Sequence, residues 1–152
     1  MSGFNPRNPD WEQALRDSFA RQGMMHTLGA ALGAVSPGRA EIVLPFHEGL
    51  AQQHGYFHGG AIGAIADSAG GYAAFSLMDA GATVLTVEYK MNIVAPGKGE
   101  RLVARGEVIR PGRTLTVTRA DVFAVTGGEE TLCATILQTL MGLGAAPHRP
   151  AG

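Results

Sequence analysis

Gly59-Gly60-Ala61-Ile62-Gly63-Ala64-Ile65-Ala66-Asp67-Ser68-Ala69-Gly70-Gly71-Tyr72-Ala73-Ala74-Phe75 is an apolar, glycine-rich stretch with one carboxylate near its middle. Laid out at about 100° per residue, its small residues gather around Asp67. Gly60, Gly63, Ala64, Gly70, Gly71 and Ala74 fall within about 60° of the acid, while Ile62, Ile65, Ala69 and Tyr72 lie opposite. The spacing predicts a helix with one bulky face and one hollow face, and the acid sits in the hollow. A helix that is apolar all round is a buried helix, and a buried carboxylate costs several kcal/mol unless it is paired or put to use. Asp67 is therefore the first candidate for chemistry.

The segment from Gly59 to Met78 has the length of a membrane span. An aspartate at a bilayer centre costs roughly 2.5 to 3.5 kcal/mol, and the glycines weaken a span further, so a buried core helix is the reading adopted. The chain of 152 residues, 45% of them apolar, suits one domain with a real core. Twelve basic residues against 13 acidic ones give a formal charge of -1, which suggests neither a nucleic acid nor a membrane partner. The single Cys133 cannot form an internal disulfide, and on a late strand with no histidine nearby in sequence it is expected to be a core residue. With no charged-then-apolar signal pattern at the N-terminus, a soluble cytoplasmic protein is expected.

Around the helix, turn signals divide the chain. Asp10-Trp11-Glu12-Gln13 opens a first helix, with Asp10 as N-cap and Gln13 as capping-box partner, ending near Gly23. Met24 to Phe46 reads as a hairpin broken at Ser36-Pro37-Gly38. After Asp79-Ala80-Gly81, with Gly81 as helix C-cap, the segments from Thr83, Leu102, Thr114 and Thr131 read as strands of a meander, separated by Pro96-Gly97, Pro111-Gly112 and Gly127-Gly128. One long helix and about six antiparallel strands predict an α+β fold, a sheet wrapped around that helix. The expected organisation is an N-terminal helical extension over 1–23, a main domain over 24–144 and a loose tail over 145–152.

His58-Gly59-Gly60 stands where a polar loop becomes the helix. A helix start offers unpaired N–H groups and the positive end of the dipole, able to hold an oxygen that becomes negative during acyl transfer; the plain alternative is a turn made by two glycines. Gly59 and Asp67 lie eight residues apart, about 12 Å along a helix, too far to touch one carbonyl group. If both act on it, each comes from a different copy of the helix, across a two-fold interface.

The run Gln52-Gln53-His54-Gly55-Tyr56-Phe57-His58-Gly59-Gly60, followed by Asp67-Ser68, resembles the hotdog-fold acyl-CoA thioesterases, in particular the branch containing phenylacetate-pathway and hydroxybenzoyl-CoA thioesterases. The similarity runs from about Met24 to Leu143 and includes Met91-Asn92-Ile93-Val94-Ala95-Pro96 and Arg110-Pro111-Gly112-Arg113. The resemblance implies a hotdog fold and hydrolysis of acyl-CoA to a free acid and CoA. It assigns Asp67 as nucleophile or general base, the Gly59 N–H as oxyanion donor, and Gln52 (or Gln53, if the loop shifts by one) as an orienting amide. Counting back from Ala95-Pro96 assigns Thr86 as helper of the acid, although threonine is a good strand former in any case. His58 fits a supporting hydrogen-bonder at the loop-helix junction, with direct acid/base work as the other possibility.

Arg110, Arg113, Lys90 and Lys98 are candidates for the CoA phosphates, each also readable as a solvated turn or strand residue. CoA is then part of the substrate and no separate cofactor is expected. His54 and His58 are four apart, but the glycines around them speak against a helix and a metal pair. The resemblance implies a homodimer or a dimer-of-dimers homotetramer. Two other functions remain open. A hotdog enoyl-thioester hydratase or dehydratase would pair His54 with Asp67, although a different motif surrounds the histidine in those families. A non-catalytic acyl-CoA-binding protein is the third, and the short N-terminal helix is too little for the DNA-binding segment that regulatory relatives carry.

Overall fold

The computed structural model describes residues 3–144. The tail expected over 145–152 lies outside the described residues. The chain runs α1 (Trp11–Ala20), α2 (Gly23–Leu28), β1 (Ala31–Ser36), β2 (Arg39–Pro45), a 3-10 turn (Glu48–Leu50), α3 (Gly59–Phe75), β3 (Thr83–Ile93), β4 (Arg101–Arg110), β5 (Leu115–Thr126) and β6 (Glu129–Leu143). The six strands form one antiparallel sheet in the order β1-β2-β4-β5-β6-β3, wrapped around α3. This is the hotdog architecture.

Helix α3 is apolar all round and is accordingly buried along most of its length, with Ile62, Ile65, Ala66, Ala69 and Ala73 in the core. It lies against the inward side chains of the sheet, which alternate as the period of two demands: Ile42 and Leu44 on β2, Leu102 and Ala104 on β4, Ala120 and Val122 on β5, Ile136 and Leu140 on β6. Small residues set the closeness of the contact. A Cβ at Gly106 would stand 2.3 Å from the backbone of Ala69, so only glycine lets β4 touch the helix there.

The strands β4, β5 and β6 form the expected meander, but β3 does not join it. Segment 94–100 carries the chain from one edge of the sheet past the start of α3 to β4, and β3 pairs instead with β6. Seven residues suffice because the link runs across the end of the sheet. It is tied by Val94 N–H to Cys133 O (2.8 Å) and Phe57 N–H to Gly97 O (2.8 Å). The consequence is functional: β3 lies beside the middle of α3.

Three local expectations are corrected. Met24 to Leu28 is helical, not the start of a strand: Met24, Met25 and Leu28 are good helix formers, Met25 is buried, and Gly29 closes the turn at φ 77°. The helical N-terminal part thus extends beyond residue 23. Asp10 occupies the N-cap of α1, but its carboxylate caps nothing; Asn8 Oδ1 accepts from the Asp10 N–H, and Gln13 reaches forward to Asp17. Gly81 does adopt φ 75°, yet α3 ends earlier, at Phe75 with Ser76 as C-cap. Ser76 stops the helix by donating its hydroxyl to Ala73 O and accepting from Gly38 N–H.

Candidate active site

Asp67 is half-buried in the middle of α3, opposite β3 and β6. Thr86 Oγ1 donates to Asp67 Oδ1 at 2.7 Å, and Gln138 Nε2 donates to the same oxygen. Gln138 Nε2 also faces Thr86 Oγ1 (3.3 Å) and Asp67 O (3.2 Å), while Thr118 Oγ1 donates to Gln138 Oε1 at 3.0 Å. An ionised carboxylate only accepts, and the threonine hydroxyl occupies the amide oxygen, so the amide must turn its NH2 to the acid. Among the described residues nothing donates to Asp67 Oδ2. Burial pushes the carboxyl above its ordinary value of 3.8, and the bonds from Thr86 and Gln138 pull it back in part. The result is an acid held by one oxygen with the other available, in a cleft lined also by Ser68, Gly71, Tyr72, Phe75 and Leu85.

Gln138 is the member of this group that the sequence reading missed. It is fully buried on the inward face of β6, between Ile136 and Leu140. An amide on the apolar face of an alternating strand was the available signal. Its place requires Gly70, where a Cβ would stand 2.0 Å from Gln138 Oε1 and 2.7 Å from Thr118 Oγ1. The hollow around Asp67 is therefore partly filled from within the chain. Gln138 and Thr118 fill the space at Gly70, Tyr89 and Met91 of β3 cover Gly63, and only Gly71 and the Gly60 end remain open or edged by a single side chain.

The start of α3 forms a second, separate group. His58 is the N-cap, and its Nδ1 accepts from the Gly60 N–H at 2.8 Å. That nitrogen is thereby committed to holding the loop-helix junction, as expected for a supporting residue. No described residue accepts from the Gly59 N–H. Gly59 and Gln52 line one cleft with Tyr56, Ile62 and Ile93. Gln52 Oε1 accepts from the His54 N–H, its own N–H donates to Tyr56 O, and Gln53 is exposed beside it. His54 belongs to this end as well, so one chain does not bring it to Asp67. The acid and the oxyanion candidate thus occupy two clefts, eight residues apart on one rigid helix.

The four candidate phosphate-binding cations do not gather in one chain. Arg110 and Arg113 flank the β4-β5 turn, at the end of the sheet where β3 begins. Lys98 lies in the 94–100 link at the other end, and Lys90 sits mid-strand opposite Leu137. All four are exposed. A third depression, against the outward side chains of β2, β4 and β5, offers no free charge: Arg105 pairs with Glu41 and Glu130, Arg119 with Asp121, and Arg39 with Glu107. Cys133 is fully buried and its thiol is pushed up to about 11 by burial, which leaves it unreactive. No described helix is long and apolar enough to cross a membrane.

A hotdog sheet around a helix that carries a His-Gly-Gly start and a held acid defines a class, and sequence comparison agrees with it. Residues 54–131 match the family model of the thioesterase superfamily. A protein of Halobacterium salinarum bearing an esterase name is 30% identical over 128 residues, 80% of this chain and 82% of that one. Among solved structures, a thioesterase family protein from Silicibacter pomeroyi superposes with a TM-score of 0.86 at 52% identity, covering 88% of this chain and 98% of that chain. The PaaI protein from the phenylacetic acid degradation operon of E. coli shares the fold, with a TM-score of 0.80 at 18% identity over 92% and 98% of the two chains. The chain belongs to the thioesterase superfamily and is an enzyme of the thioester hydrolase type.

Proposed function

We propose that the protein hydrolyses acyl-CoA thioesters, at a site formed by Asp67 of one subunit and the start of α3 of another. The observation that carries this reading is Asp67, gripped through Oδ1 by Thr86 and Gln138 and unpartnered at Oδ2 beside a cleft. In the base route, Oδ2 takes a proton from water as the oxygen adds to the thioester carbonyl, and collapse of the adduct breaks the C–S bond and expels the thiolate, which recovers the proton. In the nucleophile route, Oδ2 adds to the carbonyl itself, the thiolate leaves, and water then cleaves the mixed anhydride. Either way the carbonyl oxygen becomes negative and needs donors; the free Gly59 N–H at the positive end of α3 is the group suited to it. Gln52 would orient the carbonyl or the water beside it, and His58 keeps the helix start in place.

The raised proton affinity of Asp67 suits both routes, since it makes the carboxylate a stronger base. Thiolate leaves readily, so one acid suffices. A two-subunit site is supported by the span of about 12 Å between Gly59 and Asp67. It is supported also by β3, an edge strand whose Leu85, Val87, Tyr89 and Ile93 are about half exposed. Such an edge pairs naturally with its own copy, as a homodimer or within a dimer-of-dimers tetramer. Lys90, Lys98, Arg110 and Arg113 are the cations available for the CoA phosphates in that assembly.

The test is thiol release from short, aryl and long acyl-CoAs by the wild type and Asp67→Ala. The expected outcome is turnover by the wild type and a fall of at least about a thousandfold in the variant, with unchanged secondary structure. Equal rates in the two proteins would remove Asp67 from the chemistry. Reversible hydration of enoyl-CoA without thiol release would replace hydrolysis by the hydratase reading.

A further inference from the structure

The cleft at Asp67 is not closed by the hotdog domain alone. Its far wall comes from the end of α1 and its link to α2, where Ser18, Arg21 and Gln22 line the same cavity of about 460 Å3 as Asp67 and Thr86. Two contacts fix that wall to α3: Ser68 Oγ donates to Gln22 Oε1 at 3.1 Å, and the hydroxyls of Ser18 and Tyr72 stand 3.4 Å apart. The wall therefore follows the turn Ser68–Tyr72, which begins next to the acid and ends about 7 Å further along the helix. Part of the lining is apolar or bare: Gly71 has nothing within 4 Å of a Cβ, and Phe75, Leu85 and Leu140 line the cleft together with Thr83.

The wall itself is polar, and its charge is uncommitted. Arg21 is exposed and makes no ion pair among the described residues, unlike Arg16 on the same helix, which is bound to Glu12. Its charge is felt at the Tyr72 phenol, where it opposes the larger effect of burial. A cleft that holds an acid, apolar lining and an unpaired arginine beside hydroxyl groups fits one kind of acyl group. That group is a short chain with an anionic oxygen terminus.

We propose that Arg21, carried by the N-terminal helix, is a specificity-determining residue that selects acyl thioesters whose far end is a carboxylate. This inference rests on the hydrolase reading above and deepens it. Arg21 does not touch the reacting atoms; it acts on the opposite end of the acyl group, so its removal changes the ranking of substrates and not the chemistry.

The experiment compares glutaryl-CoA with valeryl-CoA, which have the same chain length and differ in the terminal carboxylate. Rates of thiol release are measured for wild type, Arg21→Ala and Arg21→Lys. The expected result is a wild-type preference for glutaryl-CoA in kcat/KM. Arg21→Ala should lower that preference by about tenfold, through KM, while valeryl-CoA is turned over as before. Arg21→Lys should restore part of it, and added salt should weaken it. A wild type that favours valeryl-CoA, or an Arg21→Ala protein with the wild-type preference, would overturn the inference while leaving the hydrolase reading intact. The same holds if neither of the two substrates is cleaved but other acyl-CoAs are. Failure of the wild type on every acyl-CoA tested would sink the hydrolase reading and this inference together.

Discussion

The Asp67 carboxyl is set between two opposed influences. Burial raises the proton affinity of its carboxyl, and the hydrogen bonds from Thr86 and Gln138 lower it. In the proposed mechanism the active form is the carboxylate, so kcat/KM should rise with pH through a limb lying above the ordinary aspartate value of 3.8. Removing a donor removes a lowering influence, so Thr86→Val and Gln138→Met should each move that limb to higher pH. Each should also reduce the rate at neutral pH by about tenfold or more. A pH profile of kcat/KM checks this, and an unmoved limb in both variants would show that neither side chain acts on the acid. Asp67 was legible in the sequence because a lone charge in an apolar helix conflicts with its surroundings. Thr86 was reachable only through family resemblance, since a threonine in a strand conflicts with nothing. Gln138 went unnoticed because the alternation of β6 identified a strand without asking why an amide stood on its apolar face.

The elements hold this balance through close approach. Helix α3 meets β4 where Gly106 faces the Ala69 backbone, and a methyl group there has no side chain to displace. Gly106→Ala should force the helix and sheet apart, costing about 1 to 3 kcal/mol or more. A thermal melt should show a midpoint lower by about 5 °C or beyond, whereas an unchanged midpoint would contradict the tight helix-sheet contact. The core elements were legible from periodicity: the apolar run gave α3, and period-two alternation with glycine-containing turns gave the strands. The place of β3 was not. A short loop after a strand reads locally as a hairpin, and only the finished sheet reveals that segment 94–100 passes its end so that β3 pairs with β6. That crossover carries Thr86 to Asp67, so the site depends on a non-local pairing that no window of sequence contains. The short α2 was missed for a simpler reason, because six residues with methionine and leucine at irregular spacing fit either pattern.

In the proposed assembly the whole molecule carries two unlike halves of a site. Gly59 and Asp67 stand eight residues apart on one helix, and in the proposed assembly the apolar β3 edge is where a second copy would set its helix against this one. The sequence carried this claim in the eight-residue spacing, and the two separate clefts agree with it. The most direct measurement is complementation between two inactive variants. Asp67→Ala removes the acid, and Gly59→Pro removes the oxyanion donor at the first helical position. There proline suits the helix, and the extended His58 (φ -64°, ψ 140°) suits a following proline. Each variant alone should release little thiol from acyl-CoA. After the two are mixed, unfolded together and refolded, half of the dimers should be mixed, each with one intact and one doubly defective site, so activity should return to about a quarter of the wild-type value. Mixed proteins that stay as inactive as either parent, with mixed dimers demonstrated, would contradict a site shared between subunits.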